Sequence, residues 1–364
     1  QYPARRGRVN LIGEHTDYND GFVLPLALSR RVLAAVAPRG DGALELRSAQ
    51  SPDQPRRISV SELAPGHPSG WAAYPAGVVW ALRETGHAVG GAEIMVDADL
   101  PAGSGLASSA ALECAVAVAL AELSSLDISP NALATAAQRA ENDFVGVPTG
   151  IMDQTAALLC TSGRALFLDT RSMETRQVPL DLETAGMRLL VIDTKAPHRL
   201  VEGEYADRRR SCEEAARLFG VRALRDVSAE ELADALTRLP DETLRGRVRH
   251  VVTENTRVLA AVELLDEGGL DRVGALLTQS HVSLRDDYEV SSPELDVAVE
   301  ASVAAGALGA RMTGGGFGGC AIALVERDAV DGVAEAVAQA YGRQGFAAPE
   351  TFTVVPAAGA RRVV

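Results

Sequence analysis

Lysine is almost missing from this chain. Of 35 basic residues in 364, one is lysine, Lys195, and threonine precedes it. A Walker phosphate loop needs lysine directly after its second glycine, so that motif is excluded. The protein-kinase set is excluded as well: there is no His-Arg-Asp, no Asp-Phe-Gly and no lysine on an early strand. The swap of lysine for arginine reads as the coding bias of a GC-rich genome. Cysteine is also scarce. Cys114, Cys160, Cys212 and Cys320 are scattered without a Cys-x-x-Cys pair, which points to buried thiols in a reducing cytosol rather than to disulfides or zinc. The six histidines show no His-Glu-x-x-His or other zinc spacing. No apolar run is long enough to cross a bilayer. No basic segment followed by an apolar core opens the chain, which predicts no signal peptide and a cytoplasmic protein. Positive charge is in deficit, with a net −14, so nucleic acid and anionic membranes are excluded as partners.

What is present is an ordinary apolar fraction, 47%, in a chain long enough for two domains. The texture changes near residues 170–185, which divides the chain into 1–180 and 181–364. The absence of an initiator methionine, together with motif-like sequence close to the start, predicts a truncated N-terminus. Strands are expected at Arg31–Pro38 and Leu44–Ser48, around an Arg-Gly-Asp-Gly turn, and at Gly91–Asp99. Trp71–Glu84 reads as an amphipathic helix, and Ser51–Pro68 as a loop. Ser129-Pro130 is a good helix start, with Leu133, Ala137, Ala140 and Phe144 on one face. The second half alternates strands, such as Met187–Asp193, with longer helices such as Gly203–Phe219 and Arg245–Glu267.

Four stretches carry chemistry. Leu100–Ala111, Leu-Pro-Ala-Gly-Ser-Gly-Leu-Ala-Ser-Ser-Ala-Ala, joins the strand at Gly91–Asp99 to a helix with Leu112, Val116, Ala119 and Leu123 at helical spacing. Glycines there admit an anion close to the backbone, and the helix start offers free N–H donors. That composition suits a phosphate cradle, and equally an ordinary turn before a helix. Gly7–Asn19 packs Glu14, His15 and Asp17 beside Arg8, a density of donors and acceptors that suits a polyol or a polar surface loop. Gly146–Gln154 places Asp153 in a first helical turn if Thr149 caps it. Met312–Cys320 is glycine-rich between two strand-like runs, and either approaches a ligand or makes a tight connection. The triplet Arg208-Arg209-Arg210 reads as a solvated helix face.

Taken together these strings resemble one family. Gly7–Asn19 closely resembles the galactokinase signature. Leu100–Ala111 resembles the phosphate-binding motif of the wider galactokinase, homoserine kinase, mevalonate kinase and phosphomevalonate kinase (GHMP) superfamily, and Thr313–Gly319 its third motif. Gly150-Ile151-Met152-Asp153-Gln154, Ser280–Ser291 and Glu204–Glu213 are likewise similar to galactokinase sequence. The resemblance runs in order from residue 7 to about 326. It implies an α+β fold of two domains: an N-terminal one like the second domain of ribosomal protein S5 and a ferredoxin-like C-terminal one. It also implies a left-handed βαβ crossover, against the general rule.

The activity implied is transfer of a phosphoryl group from ATP to the 1-hydroxyl of D-galactose by a monomer. On that resemblance Asp153 would be the base and Arg8 the stabiliser of the transferring group. Glu14, His15, Thr16, Asp17, Gly150 and Tyr205 would bind the sugar. Gly103, Ser104, Gly105, Leu106, Ala107, Ser108 and Ser109 would hold the ATP phosphates, with Ser109 and Glu141 as Mg²⁺ ligands. Mg²⁺ prefers a few hard oxygens, and phosphoryl transfer needs positioning and charge neutralisation, so this set suffices. Ala4-Arg5-Arg6 departs from the family's usual Ala-Pro, and the strand expected upstream of Arg8 is missing. Thr149 replaces a frequent Cys. The alternatives are a sister kinase for another aldose or amino sugar, and a sugar sensor without turnover.

Overall fold

Alternating apolar and polar residues make Gly91–Ala98 a strand, and its neighbours are what local sequence does not reveal. Pro25–Arg39 and Ala43–Ser48 are joined by a tight turn, yet they do not pair with each other. Gly91–Ala98 lies between them, antiparallel to the first and parallel to the second. Gly91 permits this entry: a Cβ there would sit 2.8 Å from the Ala43 carbonyl oxygen and 3.1 Å from that of Arg39. This is a computed structural model, and it describes residues 2–100, 106–196, 201–359 and 361–363.

Among the described residues the strands form three sheets. The largest runs Arg361–Val363, Tyr2–Asn10, Pro25–Arg39, Gly91–Ala98, Ala43–Ser48, Arg56–Ser59. Arg8 itself lies in the strand Tyr2–Asn10, which pairs with Pro25–Arg39 on one side and Arg361–Val363 on the other. The loop expected over Ser51–Pro68 contains the edge strand Arg56–Ser59. A three-stranded sheet joins Phe22–Val23, Arg164–Asp169 and Thr175–Pro179. The third sheet runs Gly309–Thr313, Cys320–Glu326, Met187–Asp193, Glu350–Val354, all antiparallel. The change from one set of sheets to the other falls between Pro179 and Met187, while Arg361–Val363 returns to the first sheet. We propose two domains divided at 180/181 with that one strand returned.

Helix Ser108–Leu123 packs on Tyr2–Asn10 and Pro25–Arg39, with Ala73–Glu84, Pro130–Arg139 and Met152–Leu159 around it. Ten of its residues are buried, so its apolar surface is broader than a single stripe, and Leu123 is exposed. The third sheet serves two cores at once. Leu189, Val191, Ile322 and Leu324 face the first core, while Leu190, Ile192, Ala321 and Ala323 face the second. Strands buried on both faces read as unbroken apolar runs, which is what 189–192 and 321–325 are. No described helix is long and apolar enough to cross a membrane.

Candidate active site

The strand Tyr2–Asn10 brings Arg8 to the helix start at Met152, where Asp153 sits in the first turn. Arg8 Nε and Nη2 donate to the two Asp153 oxygens at 2.6 and 2.7 Å, a bidentate pair. Burial works against the Arg8 charge, but Asp153, with Glu14 and Asp17, holds it more firmly protonated than usual. Thr149 does not cap this helix. Ile151 occupies the cap position without a side-chain bond, and the Thr149 hydroxyl turns instead to Asn142 at 3.0 Å and Glu141 at 3.3 Å.

A cavity of about 180 Å³ opens beside the pair, walled by Arg8, Glu14, His15, Asp17, Gly150, Asp153, Tyr205 and the backbone at Gly314–Gly315 among others. It is smaller than the ~300–1,000 Å³ of drug-sized sites and polar on several sides, which fits a small polyol. Gly150 is required there: a Cβ would lie 1.7 Å from Asp17 Oδ2. Asp17 is pushed up to about 6, first by burial and then by the nearby Asp153 and Glu14 carboxylates, against two backbone N–H groups.

Glu14 is wired as much as it is exposed to the cavity. Its carboxylate accepts from Gly314 N at 2.6 Å, from the Thr313 hydroxyl at 3.0 Å and from Asn10, with Arg311 3.8 Å away. Burial pushes it above the ordinary value in spite of those partners. Thr16 lies off the cavity wall, its hydroxyl donating to the Gly13 and Phe22 carbonyls. His15 holds a left-handed backbone, φ 62°, and burial pushes its imidazole well below the usual histidine range.

Gly103, Ser104 and Gly105 lie outside the described residues. Leu106, Ala107, Ser108 and Ser109 are described, and Arg8 N donates to the Leu106 carbonyl at 3.1 Å, tying the loop's exit to the strand that carries Arg8. Ser109 bonds Glu141, so the two expected metal ligands are together. Glu141 sits in a π-helical segment, Ala140–Val145, a distortion that often marks functional sites. Burial pushes it up to about 7, aided by Asp153 and opposed only by the neutral donors Ser109, Thr149 and Gln154. A buried carboxyl without a cationic partner fits a cation that completes it. Among the described residues no three His, Cys, Asp or Glu side chains gather as a metal cage, which suits an ion that takes few protein ligands and keeps its waters.

Several residues escape the sequence reading. Glu113 is fully buried on helix Ser108–Leu123, and burial then Glu141 push it far up, against a side-chain hydrogen bond with Gln154. Arg311 is fully buried and donates to the Asn10 and Leu11 carbonyls. Glu254 accepts from Gly13 N, the Ser280 hydroxyl and Arg257. Within the arginine triplet, Arg209 and Arg210 make the expected surface pairs, but Arg208 donates to the Tyr288 and Glu289 carbonyls. Glu113 stands out locally as a charge within an apolar helix, whereas Glu254 lies on a helix with many charges and gives no such signal.

The comparisons with known proteins agree with this layout. Residues 73–161 match the GHMP kinases N terminal domain, 261–344 the GHMP kinases C terminal domain, and 7–38 the galactokinase galactose-binding signature. The fold is thus that of a GHMP kinase. A galactokinase of Streptomyces coelicolor is 54% identical over 99% of this chain and 94% of its own. One of Mycobacterium tuberculosis is 46% identical over 97% of each. The Lactococcus lactis galactokinase crystallised with galactose is 35% identical, covers 100% of this chain and 95% of its own, and superposes with a TM-score of 0.96. A mevalonate kinase at 15% identity shares the fold alone, with a TM-score of 0.69. The chain belongs to the galactokinase family.

Proposed function

We propose that the chain transfers the γ-phosphoryl group of ATP to the anomeric hydroxyl of D-galactose, giving galactose 1-phosphate and ADP. The observation that carries this reading is the bidentate Arg8–Asp153 pair at the wall of a small polar cavity, beside the exit of the phosphate loop. Each Asp153 oxygen gives one lone pair to Arg8 and keeps another for the sugar's hydroxyl proton. Arg8, next to the departing proton, faces the charge spread over the transferring phosphoryl oxygens. His15, Asp17 and Tyr205 orient the sugar, with Glu14 holding the backbone at Gly314 while it faces the same cavity. Gly103–Ser109 would hold the nucleotide phosphates.

Ser109 and Glu141 would hold Mg²⁺, which when bound neutralises phosphate charge. All candidate groups come from one chain, which supports a monomer. The four cysteines are buried and none is in a disulfide, which supports a reducing, cytoplasmic setting. A panel of aldoses with ATP and Mg²⁺ tests the reading. Galactose should run well ahead of glucose, its C4 epimer, because a buried polar site rejects a misplaced hydroxyl strongly. Equal rates on the two would overturn it.

A further inference from the structure

His15 is the end of a chain of hydrogen bonds. Its Nδ1 lies 2.8 Å from the Tyr18 hydroxyl, which lies 2.8 Å from the Tyr288 hydroxyl, which lies 3.1 Å from Cys212 Sγ. The four residues come from distant stretches of chain: Cys212 from helix Val201–Phe219, and Tyr288 from just beyond helix Leu270–Asp286. Tyr288 and Cys212 are fully buried, and the Tyr288 ring is packed between His15 and His250. Neither group touches the cavity, so the reaction does not explain them.

We propose that Cys212, Tyr288 and Tyr18 form a directional relay that fixes the tautomer of His15, so that its Nε2 carries the hydrogen and donates to a sugar hydroxyl. This rests on His15 being part of the sugar site. Each hydroxyl in the relay supplies one hydrogen, so the chain has two possible orders, one running toward His15 and one away from it. Which ring nitrogen is protonated follows from the bond made by the other.

Two observations select the inward order. First, His15 Nε2 is buried at the cavity wall without a hydrogen-bond partner, and the surrounding side chains Glu14, Asp17 and Asp153 are acceptors. A bare lone pair there would face these carboxylates, while Arg8 on the same wall turns its Nε and Nη2 to Asp153. Second, the Gly315 backbone favours a proton on the ring, and Nδ1 is already turned to Tyr18. Burial pushes the Cys212 thiol up to about 11, and the Asn19 side chain bonds its sulfur. Asn19 also donates to the His15 carbonyl at 2.9 Å, so ring and backbone are held by one neighbour. A sugar hydroxyl that gives its proton to a carboxylate still needs a donor for its oxygen, and His15 Nε2–H supplies one.

The test is nitrogen-15 NMR of histidine-labelled protein, ligand-free, with galactose kinetics on variants. Wild type should show His15 protonated at Nε2 and bare at Nδ1; the opposite tautomer overturns the proposal whatever the variants do. Tyr18→Phe and Cys212→Ala should mix the tautomers and raise KM for galactose, by about tenfold for Tyr18→Phe, the scale of one buried hydrogen bond. KM for ATP should hold. Cys212→Ser, which restores a donor, should return both tautomer and KM. If His15→Ala leaves KM for galactose unchanged, His15 is not a sugar residue and the site assignment falls with the relay. If His15→Ala raises it while Tyr18→Phe and Cys212→Ala change neither tautomer nor KM, only the relay falls.

Discussion

Glu254 and Glu141 are both buried helix carboxylates, and their surroundings treat them oppositely. Burial alone would raise both. At Glu254, Arg257 together with His250, Arg311 and the Ser280 hydroxyl overrides that and brings the group down to about 2. At Glu141 the donors are neutral, and the group stands at about 7. Asp17, at about 6, behaves like Glu141. The fold builds cations in beside Glu254 and gives Glu141 neutral donors in their place. We propose that Glu141 is thereby left for a ligand to supply the missing charge.

The sharpest way to break that division is to exchange kinds of damage between the two groups. Asp153→Asn keeps the shape but cannot take a proton, so turnover should fall about 10²–10⁴-fold while galactose still binds. Combining it with Arg8→Ala should cost much less than the sum of the single changes, because the pair acts as a unit. A folded Asn variant with near-normal turnover would return Asp153 to a helix-start carboxylate. On the structural side, Glu254→Gln leaves Arg257 buried without its anion and should destabilise by about 3–5 kcal/mol, read by denaturant unfolding. If it instead changes Mg²⁺ dependence and spares stability, the division fails.

Glu141→Ala should raise the Mg²⁺ concentration needed for half-maximal rate and leave galactose binding without nucleotide near normal. Loss of sugar binding with an unchanged Mg²⁺ profile would count against its metal role. The pH dependence of the ligand-free protein separates the two classes further. Asp17 and Glu141 have folded values above their ordinary ones, so the folded chain holds protons that the unfolded one releases. Their stabilisation is present below about pH 4 and is lost as pH rises toward 7. Glu254 and His250, at about 2 and 4, slope the other way and lose stability as pH falls. The Tm of Asp17→Asn/Glu141→Gln should therefore gain on wild type as pH rises from 4 to 7. A constant difference would sink the account.

The smallest effect belongs to Glu113. Burial disfavours its carboxyl and Gln154 is its hydrogen-bonding neighbour, so Glu113→Met, similar in volume and apolar, should leave Tm nearly unchanged. A loss of several degrees would mean that the carboxyl holds something in place.

Local chemistry was readable from the chain where its partners are local. The strand, loop and helix around residues 91–123 follow from alternation, glycines and helical spacing, and Ser129 caps its helix as its position suggests, accepting from Ala132 N. The motifs also named the groups that meet at the cavity. What did not show was pairing over distance. Nothing in 25–48 says that a strand 50 residues later will part its two halves. Arg311 and Glu254 find partners through contacts to Asn10 and Gly13, with no periodic pattern to announce them. The role of Thr149 was misread because its hydroxyl had a nearer use across the turn, toward Asn142.

The bond from Gly314 N to Glu14 joins residues 300 positions apart. At about 5–20 residues per second of synthesis, the amide reaches its carboxylate some 15–60 s after Glu14 is made. Through that interval the N-terminal sheet and its helices lack the later strands and helices that complete their core, and the cavity lacks the wall at Gly314–Gly315. Galactose added during translation would find no complete site on a nascent chain shorter than this. The sugar can protect the finished protein from unfolding, but it cannot guide the first half of it into shape.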